Sequence, residues 1–511
     1  MLVQDFLHHS AERLPDKVAL VCAGQRLTYA QIDTCANRLA NALHQQGVAR
    51  GDRVVVFLNN SVECVISIFA ILKAGGVFVV VNKSTKADKL AYILNNCRAV
   101  ALITGEATTT GPFADAIAGI PSLKAVVLCP GGKDRLGFGA KPCLSFEEIQ
   151  RESATARPPR VNIDLDLACL IYTSGTTGEA KGVMSDHSNV VFATGSIIEY
   201  LRNAETDIVI NVLPLSFDYG LYQLLMTFRF GGTLVLESSF TYPVEILNRI
   251  VQEKVTGFPG VPTVFALLVR MDLSGFNLQS LRYVTNTAAA LPPSHIEELR
   301  QKFPHAALYS MYGLTETKRT LYLPPEWLDW KPGSVGIAIP GTEVWIEDES
   351  GLRLGAGSVG ELVVRGRHVM RGYWEAPEAT AGRFRPGPVA GERLCYTGDL
   401  FRMDEDGCMY FVGRKDDIIK SRGEKVAPKE VENVLHSLKG VVEAAVVGIP
   451  DAVLGHAIKA FLVVDDAGLT SGAVLAHCRA HLEDFMVPKH VEFRATLPKS
   501  PSGKIRKQDL V

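Results

Sequence analysis

The run Tyr172-Thr173-Ser174-Gly175-Thr176-Thr177-Gly178-Glu179-Ala180-Lys181-Gly182-Val183 follows a strand-like apolar segment, residues 165–171. Glycines and hydroxyl side chains crowd into a loop that ends on a lysine, the composition needed to wrap a polyanion. Glycine lets backbone N–H groups turn inward around phosphate oxygens, hydroxyls add donors, and the lysine adds charge. The loop departs from the common G-x-x-x-x-G-K-[ST] cradle, because Gly178 and Lys181 are three positions apart and Gly182 follows the lysine. Taken alone, the same residues also suit a solvent-exposed Gly/Thr hairpin connection.

Outward from this loop the hydrophobic pattern alternates between helix and strand. Residues 5–13 read as an amphipathic helix, 18–22 as a strand, and 28–46 as a long helix that starts on a Thr cap and ends near Gly47. Residues 54–58 form a short buried strand, 61–73 a helix stopped by Gly75-Gly76, and 77–81 another strand. Residues 105–160, rich in Gly, Pro, Ala and Thr, read as surface connection. Beyond the loop the alternation resumes, with strands at 208–213 and 232–236 and helices at 222–230 and 243–252. After Gly413-Arg414-Lys415-Asp416-Asp417 the pattern changes to helices at 428–437 and 473–482 around strands at 441–448 and 458–464. The expected fold is α/β: a large N-terminal domain, 1–413, of parallel and mixed sheets flanked by helices, and a small mobile α+β C-terminal domain, 414–511.

With 511 residues the chain is long enough for two or more domains. Its 53 basic and 55 acidic residues, net charge −2, give no general attraction to nucleic acid or anionic lipid. Ten cysteines without a C-x-x-C pair read as reduced core residues of a cytoplasmic protein. The N-terminus lacks a basic start and a long apolar stretch, and Asn59, Asn60, Glu63 and Lys73 break the longest apolar runs. No signal peptide or membrane span is expected.

The motif Y-T-S-G-T-T-G-x-x-K-G-V resembles the signature loop of the AMP-forming adenylating enzymes: acyl-CoA synthetases, adenylation domains of peptide synthetases, and luciferases. The resemblance implies that ATP activates a carboxylate to an acyl adenylate, which then passes to a thiol. Leu27-Thr28-Tyr29 and Ala36-Asn37-Arg38-Leu39-Ala40 are similar to the family's N-terminal region. Ala180 stands where the family usually has Pro, and Asn82-Lys83-Ser84-Thr85-Lys86 replaces a proline-rich turn.

By the same resemblance Thr173, Ser174, Gly175, Thr176, Thr177, Gly178 and Lys181 surround the phosphates of ATP. In Ser310-Met311-Tyr312-Gly313-Leu314-Thr315-Glu316, similar to the family's Y-G-x-T-E, Tyr312 would stack on adenine, Thr315 would donate to the α-phosphate and Glu316 would hold Mg²⁺. Asp399 of Tyr396-Thr397-Gly398-Asp399 is implied on the ribose hydroxyls with Arg414 assisting, and Ala288 faces the adenine. Thr287-Ala288-Ala289-Ala290 replaces a glycine-rich form common in relatives. The tail Pro498-Lys499-Ser500-Pro501-Ser502-Gly503-Lys504-Ile505-Arg506 resembles the family's closing P-x-x-x-x-G-K-x-x-R, which makes Lys504 the catalytic lysine. A cation that bridges a carboxylate and a phosphate lowers the barrier between two anions. Asp416 matches the hinge position, and Lys420 and Gly423 would form the face that covers a pantetheine thiol.

Outside a resemblance each motif has a plainer reading: a turn with a helix cap for Y-G-x-T-E, a capping residue in an exposed turn for Asp399, a solvated end for the tail. The resemblance places the acyl pocket around Asp218, Tyr219, Tyr222, Pro259, Gly260, Asn286, Thr287, Met311, Arg319 and Thr320. Their bulk favours a small acid. Phe217-Asp218 takes the form found in amino-acid adenylation domains, where the aspartate binds an ammonium group. A buried carboxylate without a cation is costly, so an amine-bearing substrate is expected, proline or another amino acid. Arg319 could pair with Asp218 instead, or Asp218 could cap the following helix, in which case an ordinary acyl- or aryl-CoA synthetase results. A non-catalytic nucleotide-binding protein is the reading from another class, opposed by the presence of Lys504 and Glu316. No carrier domain follows residue 511, so the expected acceptor is a separate molecule, coenzyme A or a carrier protein.

Overall fold

In the strand Arg53–Phe57, Val54 and Val56 pack into one apolar cluster while Val55 and Phe57 pack into another. A strand apolar on both faces belongs inside a parallel sheet covered on both sides. The computed structural model, which describes residues 1–129, 138–139, 141–174, 180–287, 291–421, 424–451, 455–465, 468–500 and 503–510, places it there. Its sheet runs Cys143–Ser145, Ala125–Leu128, Ala101–Thr104, Arg53–Phe57, Val77–Val80, Leu167–Ser174, Ala180–Asp186, parallel except for the last strand.

A second sheet of nine strands has six parallel neighbours at its centre: Ala307–Tyr312, Tyr283–Asn286, Gly257–Gly260, Ile208–Asn211, Thr233–Leu236 and Val18–Cys22. The helices Val62–Lys73 and Asp218–Phe230 share the largest apolar cluster with strands of both sheets and are buried nearly all round. Phe69 and Phe228 stack at 5.1 Å and join the two helices. Such all-round apolarity marks a helix buried between layers. Lys73, the one basic residue of its helix, is buried against Asp33 and Asn37, each 2.6 Å away.

Sequence expectation and structure agree over the Thr28 cap. The second helix, Tyr29–Gln45, begins on a reciprocal Thr28–Gln31 capping box, and Ser61 caps Val62–Lys73. They disagree over residues 105–160, which carry the helices Gly111–Ala118 and Phe146–Glu152 and two sheet strands, not a mere surface connection. Val126 and Val127 of Ala125–Leu128 are fully buried.

An antiparallel sheet follows, formed by Glu343–Glu347, Val359–Arg365, Phe384–Pro386, Arg393–Met403 and Met409–Arg414. The chain then enters a last sheet with the helices Pro428–Ser437 and Ser471–His481, whose two apolar clusters draw only on residues from Ile419 to Leu510. Among the described residues this last unit meets the larger one where Arg270 pairs with Asp465 at 3.0 Å, where the His295 and His436 rings meet edge to face at 5.8 Å, and where Gly503 lies against Thr263. All ten cysteines are free thiols, eight of them buried. Among the described residues no helix is long and apolar enough to cross a membrane.

Candidate active site

In parallel α/β sheets, ligands gather beyond the carboxyl ends of the strands. Here those ends place Pro259 and Gly260, Asn286 and Thr287, and Met311 and Tyr312 side by side on three adjacent strands. The helix after the next strand starts at Asp218, four residues earlier than its apolar pattern suggests, so Asp218, Tyr219 and Tyr222 lie on its first two turns. Gly220 lets this helix start close to the preceding chain: a Cβ there would meet the Pro214 carbonyl oxygen at 2.4 Å. Tyr219 Oη hydrogen-bonds Thr285 Oγ1 at 2.6 Å and fixes the helix against the sheet.

The signature loop lies at the turn of an antiparallel pair, Leu167–Ser174 with Ala180–Asp186, in which Thr173 pairs with Lys181. The hairpin position and the cradle composition therefore coincide. Gly175, Thr176, Thr177 and Gly178 lie outside the described residues, as do Ala288 and Gly423, and the side chains of Ser174 and Lys420 are likewise not described.

Lys181 Nζ sits over the Tyr373 ring, 5.7 Å from its centroid, and Tyr373 Oη donates to Glu316 Oε1 at 2.6 Å. Burial opposes charge on Arg383, yet Glu316, Tyr373 and Cys395 together outweigh it and hold the guanidinium pKa above its ordinary value. Glu316 is thus buried with one oxygen engaged by a phenol, an arrangement that leaves the other for a cation. Among the described residues no three acidic, His or Cys groups cluster as a metal cage. A single carboxylate that shares Mg²⁺ with substrate phosphates suits that ion, which keeps most of its shell in water and phosphate oxygen. Tyr373 and Arg383 went unnoticed in the sequence, because neither stands in a motif.

Asp399 differs from expectation. It lies inside the strand Arg393–Met403, 3% exposed, not in an exposed turn. Tyr312 Oη donates to its Oδ2 at 2.6 Å and Arg414 Nε to its Oδ1 at 3.1 Å. A carboxylate has about four lone-pair sites, so a ribose can still be accepted. Tyr312 packs edge to face on Phe401 at 4.8 Å. Thr315 is half-buried and Asp416 is exposed in the turn before Ile419–Ser421.

Asp218 caps nothing: the cap position is Phe217, with no side-chain cap bond. Nor does it pair with Arg319, whose guanidinium lies over the Tyr219 ring at 4.4 Å and donates to the Lys318 carbonyl oxygen. The cation that sequence reading missed is Lys318, 1% exposed, with φ +60°. Thr320, beside it, is buried and shares a hydrogen bond with Thr317 at 2.7 Å. Burial lowers the Lys318 pKa, with Asp218, Cys169 and Glu316 opposing and Arg319 reinforcing the shift.

Lys504 comes to this site from the far end of the chain. Lys504 is exposed at its surface, yet the groups around it lower its pKa by desolvation, which Asp218, Asp399 and Glu316 oppose and Arg414 reinforces. Among the described residues, then, one lysine of the tail stands within electrostatic reach of the carboxylates that three separate segments supply.

An α/β body with this gathering of charge at its strand ends, closed by a small α+β unit, is the architecture of an AMP-forming acid–thiol ligase. The chain belongs to the AMP-binding enzyme family: the family model matches residues 7–374, and the model of the AMP-binding enzyme C-terminal domain matches residues 430–504. It is 33% identical to a long-chain-fatty-acid–CoA ligase of Bacillus subtilis, over 100% of this chain and 94% of that one. Among solved structures it resembles the anthranilate CoA ligase AuaEII in complex with anthranoyl-AMP, with TM-score 0.91, 28% identity and coverage of 100% and 96% of the two chains. It also resembles O-succinylbenzoate coenzyme A synthetase of Bacillus subtilis in complex with ATP and magnesium ion, with TM-score 0.85, 27% identity and coverage of 99% and 98%.

Proposed function

We propose that this ligase joins a non-amino acyl or aryl carboxylic acid to coenzyme A through an acyl adenylate. The observation that carries the reading is Lys504, brought by the C-terminal tail among Asp218, Asp399, Glu316 and Arg414. In the first step a carboxylate oxygen attacks the α-phosphorus, the bond to the β-phosphate oxygen breaks, and pyrophosphate leaves. In the second, a thiol sulfur attacks the acyl carbon and AMP leaves. Lys504 would lie between the two anions of the first step, Asp399 and Arg414 would hold the sugar, and Lys181 would face the phosphates. Glu316 would hold Mg²⁺, which supplies charge neutralisation on the polyphosphate.

Residues 414–511 would move as one unit about Asp416, presenting Lys504 for adenylation and the face with Lys420 and Gly423 for the thiol. The expectation of an amine-bearing substrate loses its physical basis at Lys318. Asp218 already has a buried cation within electrostatic reach, so an ammonium group is not required to offset it. Two buried cations, Lys318 and Arg319, would repel one.

ATP–pyrophosphate exchange with a panel of acids tests the reading. Lys504→Ala is expected to slow exchange by about 10²–10³-fold, the usual effect of removing one preorganised donor, with AMP binding retained. Better exchange with amino acids than with their des-amino analogues, abolished by Asp218→Ala, would restore the amino-acid reading. No exchange with any acid would remove the proposal.

A further inference from the structure

Around Asp218, where the acyl pocket is expected, lie buried polar groups that the adenylation chemistry does not use. Lys318 is 1% exposed, and its Nζ has no hydrogen-bond partner. Tyr222, on the helix that starts at Asp218, is equally buried, and its Oη is also unpartnered. The two face each other, with Lys318 Nζ 5.8 Å from the Tyr222 ring centroid. Thr287 Oγ1, at the end of the neighbouring strand, is a third buried polar atom without a partner. Buried donors are nearly always satisfied in folded proteins, so each exception needs a physical reason.

The backbone makes the same point independently. Lys318 holds φ +60°, a region that favours glycine, and Gly313 approaches so closely that a Cβ there would meet the Lys318 carbonyl oxygen at 2.0 Å. The turn between the two is closed tightly and sets Lys318 in a strained conformation, of the kind that concentrates at ligand sites. Arg319 is 3% exposed and takes no carboxylate partner, since its guanidinium rests on the Tyr219 ring. No ion pair within 4 Å joins Asp218 to either cation. Among the described residues Lys318 and Arg319 are thus buried without an ion-pair partner, with the Asp218 and Glu316 carboxylates within electrostatic reach of Lys318 but not bonded to it.

We propose that Lys318, with Tyr222, forms a subsite for a second carboxylate on the substrate, so that the enzyme prefers a short dicarboxylic acid. The inference rests on the proposed ligase reading and deepens it. One carboxylate of the substrate would lie near Lys504 and react. The other would accept hydrogen bonds from Lys318 Nζ and Tyr222 Oη, two buried atoms left without partners. The bulk of Tyr219, Tyr222 and Met311, all buried, limits the spacer between the two acids. A monocarboxylic acid of the same length would bury Lys318 against methyl groups and leave its nitrogen unsatisfied. Sites built to hydrogen-bond a substrate group reject analogues that lack it far more strongly than apolar pockets reject a missing methylene.

The test is pyrophosphate exchange with pairs of acids matched in chain length, such as butanoate against succinate, hexanoate against adipate and benzoate against isophthalate. For wild-type enzyme we expect the best diacid to exceed its matched monoacid by at least about tenfold in kcat/KM, the worth of one charge-assisted hydrogen bond. Lys318→Met, similar in length but uncharged, is expected to erase or invert that ratio through KM, and Tyr222→Phe to reduce it. Thermal unfolding and AMP titration of each variant separate a folding defect from a specificity change. If Lys318→Met does not fold, the wild-type ratios still decide. Efficient exchange with monoacids and none with diacids would overturn the subsite and leave the ligase reading intact, whereas no exchange with any acid would overturn the ligase reading itself.

Discussion

At the scale of single residues, the sequence shows charged groups that stand in short motifs and hides those that stand alone. Glu316 and Lys504 are legible because their neighbours carry a pattern, whereas Tyr373 and Lys318 are isolated in sequence and acquire meaning only from what they touch. Tyr373 donates to Glu316 Oε1 at 2.6 Å, and Lys181 sits over its ring. Removing an outer hydrogen bond to a metal-holding carboxylate typically weakens metal binding by about 10–100-fold. Tyr373→Phe is therefore expected to raise the Mg²⁺ concentration needed for half-maximal exchange by that factor, with a smaller effect on the rate at saturating Mg²⁺. An unchanged Mg²⁺ titration would show that Glu316 does not hold the ion.

At the scale of elements, capped helices and all-apolar strands could be read directly, since Thr28 with Gln31 and Ser61 state where helices begin. The region 105–160 could not, because its strands are only three or four residues long and its helix Gly111–Ala118 opens on Gly-Pro, which read as turn chemistry. Packing between elements was equally hidden, and one case has a pH consequence. His295, on Pro293–Lys302, meets His436, on Pro428–Ser437, across the junction of the two units. Burial lowers the His436 pKa to about 3, with Lys429 and His295 adding and Glu432 opposing. Burial also lowers that of His295, with Arg270 and Lys429 adding. Both rings are thus neutral in the closed junction, and an opening that exposed them would return them toward the ordinary 6.5. The open form binds more protons below that value, so closure is undiminished above about pH 6.5 and weakens as pH falls through it toward about 3. Pyrophosphate exchange is expected to drop between pH 7 and 5.5 more steeply in wild-type enzyme than in the His295→Gln/His436→Gln variant. Identical profiles would refute a role for the pair.

At the scale of the whole molecule, the order of the motifs along the chain is legible but their convergence is not: nothing in the spacing of Asp218, Glu316, Asp399 and Lys504 says that they share one site. The larger unit gathers Asp218, Glu316 and Asp399, and the docked tail adds Lys504 within electrostatic reach of them. Gly503 stands at φ +80°, and a Cβ on it would lie 3.0 Å from Thr263 Oγ1 of the larger unit. A side chain there is disfavoured twice, by a left-handed backbone that costs about 1–2 kcal/mol for an L-residue and by contact with the helix start at Pro262. Both penalties apply to the docked tail, whereas an undocked tail escapes the contact and can relax its backbone. If the small unit turns away from this position for the thiol step, Gly503→Val should slow the two half-reactions unequally. Adenylation, followed by pyrophosphate exchange, is expected to fall by about tenfold or more, the factor that 1.4 kcal/mol corresponds to. Transfer from a synthetic acyl adenylate to coenzyme A should proceed at close to the wild-type rate, because that step does not use the docked tail. Equal losses in both half-reactions would mean that the units keep one arrangement throughout the cycle.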